Sequence, residues 1–270
     1  MMSNIPHLSI LVPTIRPQNL IKYFNSVVSA CKRYSFEVIF VSPYALPEPL
    51  MKDSRVVYVR SFANPTVCLN MAASIARSEF LMNSTDDGKF EENSLDEALD
   101  IFPKIGVSDI VNFVYEEGSL DADTLEPLGA ASTSNQPESY WTAAHHPALR
   151  LPGINPNWKL ALHFIMRRKF FEYLGYLDTR FSYVNMNLHV MAFTAQQFGS
   201  KIYNTPRVGF RCSHIPGRSL DHFAVHDSHV EELPIFNKIY SQPNSPVRLD
   251  KESWKSLPCV WERRFSNVSK

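Results

Sequence analysis

Short β-favouring runs alternate with helix-period segments through the first 115 residues, and this alternation constrains the fold more than any other feature. Leu8-Ser9-Ile10-Leu11-Val12 is an apolar run stopped by Pro13, and the segment opened by Pro17 carries Leu20, Tyr23, Phe24, Val27, Val28 and Cys31 at helical spacing. Phe36 to Val41 and Arg55 to Val59 form the next strands, the first ended by Ser42-Pro43. A helix is expected over Thr66 to Arg77, and the Phe80 strand after it delivers an acidic pair, Asp86-Asp87, followed at once by Gly88. A helix over Asn93 to Phe102 and a strand over Asp109 to Tyr115 continue the pattern. Alternation of this kind implies a parallel sheet covered by helices, in which ligands collect beyond the carboxyl ends of the strands.

From Glu116 to Asn157 the chain is rich in Ser, Thr, Pro, Asn and acidic residues without periodicity, which reads as a long loop or lid. Regular structure resumes with a buried strand over Leu160 to Met166, then Arg167-Arg168, a short helix from Lys169 to Leu174 stopped by Gly175, and a helix over Asn187 to Phe198 closed by Gly199. A strand begins at Lys201-Ile202-Tyr203 and is interrupted by Pro206, and a histidine-rich stretch with His214, His222, His226 and His229 follows. The last three histidines lack companion carboxylates in a zinc pattern. The final thirty or so residues read as a tail packed on the surface.

Acidic and basic residues balance at 27 each, so no whole-chain field attracts nucleic acid or an anionic membrane. No window approaches the roughly 18 apolar residues of a membrane span, and the reading is cytoplasmic. The four cysteines show no metal-type spacing and are expected to be buried thiols. Glycines number only 9, and neither a dinucleotide fingerprint nor a P-loop is present.

Two carboxylates crowded at a strand end repel each other unless a cation lies between them or both face water. Asp86-Asp87 therefore suggests a divalent cation with a phosphate as its other ligand, or else an exposed turn, for which Asp-Asp-Gly is well suited. Adjacent guanidinium groups at Arg167-Arg168 suit anion binding or a charged surface. Trp141 and Trp158, flanking the irregular segment, suit either a sugar-stacking platform or core anchoring.

Taken in order, Val12-Pro13-Thr14 with Arg16, the acidic pair after Ala76-Arg77-Ser78-Glu79-Phe80-Leu81, and Arg167-Arg168 ahead of Leu174-Gly175-Tyr176-Leu177-Asp178-Thr179-Arg180-Phe181 resemble a family 2 glycosyltransferase of the GT-A fold, over roughly residues 7 to 215. The resemblance implies an α/β, GT-A-like single domain with a mostly parallel central sheet flanked by helices and an irregular acceptor-side half. It divides the chain into a nucleotide-sugar-binding half (1–115), a variable loop or lid (116–157), an acceptor-side half (158–240) and a tail (241–270). It implies a hexosyltransferase-like enzyme that moves a sugar from a nucleotide-sugar donor to a glycan or other hydroxyl acceptor, with inversion and with Mn²⁺ or Mg²⁺ as cofactor.

Carried onto this sequence, the resemblance gives Asp87 to the metal, Asp86 to the ribose or to a share of the metal, and Pro13, Thr14 and Arg16 to the border of the nucleotide. Asn70 and Arg168 would face the nucleotide or its diphosphate, each with an ordinary structural position as the alternative. His214 would complete the metal shell or serve as a hydrogen-bonded histidine. Two departures stand out. Ser42 occupies a place where the family commonly has a base-reading aspartate, and Asn185 and Asn187 stand where carboxylates are expected to supply the general base. An amide cannot take a proton near pH 7, which leaves Asp178 or His189 as candidates for the base, Asp178 having the fixing of its own turn as the alternative. A GT-A-fold protein that binds a nucleotide or glycan without turnover, or a nucleotidyltransferase, are the other readings.

Overall fold

The structure, a computed structural model, describes residues 5–121, 124–127, 138–182, 184–213, 230 and 232–243. The amino-terminal half forms β1 (Leu8–Pro13), α1 (Leu20–Ala30), β2 (Phe36–Ser42), α2 (Glu48–Met51), β3 (Val56–Arg60), α3 (Pro65–Ile75) and β4 (Phe80–Asn83). After the acidic pair come β5 (Gly88–Phe90), α4 (Ser94–Leu99) and β6 (Ile110–Glu117). The second half adds β7 (Phe164–Arg167), α5 (Arg168–Leu174), α6 (Val184–Gln197) and β8 (Ile202–Cys212). A further helical stretch occupies 232–239.

All eight strands join one sheet in the order β3-β2-β1-β4-β7-β6-β8-β5. The expected parallel arrangement holds for β3, β2, β1 and β4; β1, β2 and β4 are buried along nearly all their length, whereas β3, at the sheet edge, is half-buried. Beyond β4 the sheet is mixed, a correction to the mostly parallel reading: β7 is antiparallel to β4 and β6, β5 is antiparallel to β8, and β8 returns parallel to β6. Strand β8 also runs much further than Lys201-Ile202-Tyr203 suggests, and register shifts beside Val114 accommodate Pro206, which cannot donate to a ladder.

Two helix ends have a legible local cause. Asn64 caps α3 by accepting the Val67 N–H on Oδ1 (2.9 Å), and Pro65 opens its first turn. Gly175, at φ 95°, closes α5 in the left-handed conformation. The main core fills the space between the sheet and α1, α3 and α5, whereas a second cluster of Leu149, Phe181, Phe193, Phe236 and Tyr240 unites α6, the 143–154 segment and the 232–239 stretch. Trp158 stacks on Phe193 in this second cluster (5.6 Å) and Trp141 stacks on His145 (6.4 Å). Cys31, Cys68 and Cys212 are buried free thiols, and Cys259 lies outside the described residues. Among the described residues, no helix is long and apolar enough to cross a membrane.

Candidate functional site

The carboxyl ends of β1 and β4 lie side by side because these strands pair in parallel, Leu11 opposite Asn83. The loops that leave them therefore meet. Asp86 is 4% exposed, and four donors from the β1 loop converge on its carboxylate. Oδ2 accepts from Thr14 Oγ1 (2.7 Å), from the Ile15 N–H (3.1 Å) and from the Arg16 N–H (3.1 Å). Oδ1 accepts from Arg16 Nη1 (2.8 Å) in a buried ion pair. Asn19 Nδ2 donates to the Asp86 carbonyl (3.2 Å), so Asp86 ties the loop after β1 to the loop after β4 through side chain and backbone together. Pro13, the last residue of β1, directs the chain into this loop.

Asp87, also buried, accepts the Ser213 N–H on its backbone carbonyl (2.9 Å), which fixes the end of β8 beside the acidic turn. His214 lies outside the described residues. Asp86 and Asp87 do form a turn, between β4 and β5, but a buried one. Gly88 opens β5 opposite Cys212, and a Cβ there would fall 2.3 Å from Phe210 Cζ and 2.6 Å from the Arg211 carbonyl. We expect Gly88→Ala to part β5 from β8 and displace the acidic turn, lowering stability by about 1–3 kcal/mol, as overpacking does, with the loss read from the thermal midpoint.

The other predicted site residues are placed elsewhere. Arg168 follows an antiparallel strand and so lies at the amino end of β4, with Nε donating to the Ser78 carbonyl (2.9 Å) and Nη1 to Glu172 Oε1 (2.7 Å). Roughly 13 Å of strand separates it from the acidic turn, at about 3.3 Å per residue. Arg167 packs over Phe80 and Phe102 at the same edge. Both ends of the Asn70 amide are spent on Leu177, Nδ2 donating to its carbonyl (2.9 Å) and Oδ1 accepting its N–H (3.0 Å). Ser42 is buried, with Oγ accepting the Tyr44 N–H (3.1 Å).

The environments of Asp178 and His189 both work against proton abstraction. Asp178 accepts from the Arg180 N–H (3.0 Å), Nε (3.0 and 3.1 Å) and Nη2 (2.6 Å), an arrangement that fixes the turn before Phe181. Burial, with the nearby His146 second, drives the His189 imidazole down to about 3, so the ring is neutral and weakly basic near pH 7. His189 in the unfolded chain takes up a proton below about 6.5 while the folded ring stays neutral. The His189 term is therefore absent above pH 6.5 and opposes folding increasingly as the pH falls from there toward about 3. His189→Phe should flatten acid unfolding over that window, as followed by denaturant titrations at stepped pH.

Missed by the sequence reading are the Ile15 amide, Asn19, Ser213 and a buried carboxylate, Glu232, whose Oε1 accepts the Ser182 N–H (2.6 Å). Among the described residues no three His, Cys, Asp or Glu side chains group as a metal site.

No family model matches the chain, and no curated protein matches it. Solved structures do. The structure of S. aureus TarS matches with a TM-score of 0.53 at 14% identity, covering 84% of this chain but only 40% of the TarS chain. TarS 1-349 in complex with UDP matches at 0.57 and 14% identity, covering 91% of this chain and 68% of that one. TarS 1-349 in complex with UDP-GlcNAc matches at 0.55 and 14% identity, with 92% and 78% covered. At this identity the likeness is one of fold.

Proposed function

We propose that this chain is a glycosyltransferase of the GT-A type that takes a nucleoside diphosphate sugar at the carboxyl edge of β1 and β4 and transfers the sugar to a hydroxyl acceptor with inversion. The observation that carries this reading is the convergence of Thr14, Ile15 and Arg16 on Asp86. It joins two segments far apart in sequence into one polar, buried corner at the sheet edge where α/β ligands collect. That the same fold, in TarS, accommodates UDP and UDP-GlcNAc supports a uridine nucleotide as the first donor to test.

In this reading the β1 loop borders the nucleotide, and Asp86, its oxygens already bonded, holds that loop in place. Asp87 would hold Mn²⁺ or Mg²⁺, with His214, the residue after Ser213, as a further ligand. One carboxylate fits such an ion, since Mg²⁺ is commonly held by one or two carboxylates together with substrate phosphates. When bound, the ion offsets charge that develops on the departing diphosphate.

A second reading, nucleotide recognition without turnover, is favoured by one observation: the Asp178 carboxylate is committed to Arg180 while amides stand at Asn185 and Asn187.

A thermal-shift series with UDP, GDP, dTDP and CDP, with and without Mn²⁺, tests the donor site. A ligand at a hundredfold excess over Kd stabilises by about 2.7 kcal/mol. The expected result is a Mn²⁺-dependent shift with UDP that Asp87→Ala removes; no shift with any nucleotide would sink the donor-site reading. Release of UDP from UDP-GlcNAc then separates transferase from binding protein.

A further inference from the structure

Four strand ends share the edge at which the acidic turn lies, and contacts between their loops join them. Thr14, which holds Asp86, donates its N–H to the Val41 carbonyl near the end of β2 (2.9 Å), and the Ser61 N–H, just past β3, donates to the Ser42 carbonyl (3.0 Å). Strands β4, β1, β2 and β3 follow in that order, so β3 ends about 14 Å from the acidic turn, at roughly 4.8 Å per strand spacing. A nucleoside diphosphate extended from Asp87 along this edge carries its base to the ends of β2 and β3. On the opposite side, toward β6 and β8, the aromatic rings near the edge, Tyr115 and Phe210, are buried, whereas Tyr44 and Phe62, just past β2 and β3, are 47% and 51% exposed. Tyr58 and Arg60 leave β3 on one face, being two residues apart. Tyr58 Oη donates to the Tyr44 carbonyl (3.1 Å), and Arg60 Cζ lies over the Phe62 ring, 5.6 Å from its centre, so Tyr44, Arg60 and Phe62 gather on one side of the β2–β3 edge. Among the described residues, Arg60 is the one arginine whose guanidinium makes neither an ion pair nor a hydrogen bond, and the Tyr44 ring and hydroxyl meet no aromatic or hydrogen-bonding partner.

Resting on the transferase reading above, we propose that Arg60 selects the nucleobase of the donor. The base lies against the Tyr44 ring, and the Arg60 guanidinium, backed by the Phe62 face, donates to a base carbonyl oxygen. Selection by a cation reverses the chemistry expected at this edge. A carboxylate at the end of β2 would accept from base N–H groups, but Ser42 stands there with its Oγ given to the Tyr44 N–H (3.1 Å), and an arginine offers donors alone. Bases that carry a carbonyl, such as uracil and guanine, are therefore retained, and adenine, which has none, is refused. The platform is set before a ligand arrives, since Tyr44 is bonded at both its N–H and its carbonyl and Ser61 Oγ accepts the Ala63 N–H (3.1 Å).

Calorimetry with Mn²⁺ compares UDP and GDP, whose bases carry carbonyls, with ADP in wild-type protein, Arg60→Ala and Tyr44→Ala. Both substitutions remove exposed side chains and are expected to keep the wild-type thermal midpoint. The tighter of UDP and GDP is expected to bind wild-type protein about 10- to 150-fold more tightly than ADP, the worth of a hydrogen bond to a charged group. Arg60→Ala is expected to erase that advantage by weakening this nucleotide while leaving ADP unchanged. Tyr44→Ala is expected to weaken both alike, by about 5- to 150-fold, as loss of a stacking face does. Three outcomes overturn the assignment of Arg60 and leave the transferase reading standing: ADP bound by wild-type protein as tightly as UDP and GDP, an Arg60→Ala protein that keeps the preference, or one that weakens all three nucleotides equally, the guanidinium then serving the diphosphate. Undiminished binding in Tyr44→Ala overturns the placement of the base on that ring. Wild-type protein that binds none of the three overturns the donor-site reading itself, and the base assignment with it.

Discussion

Asp86→Ala is expected to cost about 3–5 kcal/mol of stability, the range for breaking a buried ion pair from one side, and to abolish any UDP-dependent thermal shift. The substitution removes the acceptor for Thr14 Oγ1, for two backbone N–H groups and for the Arg16 guanidinium in one step. Arg16 is only 9% exposed, so its charge would be left in a cramped, poorly solvated place. Asp86→Asn provides the contrast. An amide oxygen can still accept on the side of Thr14 and the Ile15 and Arg16 amides, but the NH₂ would then face the Arg16 guanidinium, donor against donor. We expect Asp86→Asn to fold, with a smaller loss of about 1–3 kcal/mol, and to bind UDP more weakly. Urea titration gives the stability and calorimetry the affinity. Wild-type stability in Asp86→Ala would show that the corner does not hold the two loops together.

How much of this was legible in the sequence differs residue by residue, and the differences have physical causes. The strand-end position of Asp86-Asp87 follows from the apolar Phe80–Asn83 run, and its neighbourhood with Thr14 and Arg16 follows from parallel pairing, which puts both carboxyl ends at one edge. Arg168 fails to join them because β7 runs antiparallel to β4, which carries the residue after it to the far edge. Nothing in Phe164-Ile165-Met166 encodes strand direction, since a run buried on both sides looks the same either way. The three-residue β5 is too short to show a period, although Gly88, pressed against Phe210, marks its start. Glu232 carries no signal at all: a carboxylate beside Glu231 after a histidine-rich stretch reads as surface charge, and only the fold encloses it.

The amides at Asn185 and Asn187 look alike in sequence and differ in what surrounds them, and this yields the second large expected effect. Asn187 is fully buried. Its Nδ2 donates to the Asp178 carbonyl (2.7 Å), the Phe181 carbonyl (3.1 Å) and Thr66 Oγ1 (3.1 Å), while Oδ1 accepts the Asp178 N–H (3.0 Å). Only an amide offers donors and an acceptor on one short side chain in this way. A carboxylate at 187 would set a buried negative charge against two carbonyl oxygens, with no cation among the groups that Asn187 contacts. Asn187→Asp should therefore destabilise by about 3–5 kcal/mol, lowering the thermal midpoint by roughly 6–20 °C at about 2–4 °C per kcal/mol. The loss should shrink as pH falls and the introduced carboxyl is protonated, because the neutral acid regains a donor. Asn185 is only half-buried, so Asn185→Asp should change stability by no more than about 0.5 kcal/mol, as most surface substitutions do. The amide at 187 is then a requirement of the Asp178–Phe181 turn rather than a disabled base. An Asn187→Asp protein as stable as wild type at pH 7 would mean that this turn does not depend on the amide, and the position would again be open to a carboxylate.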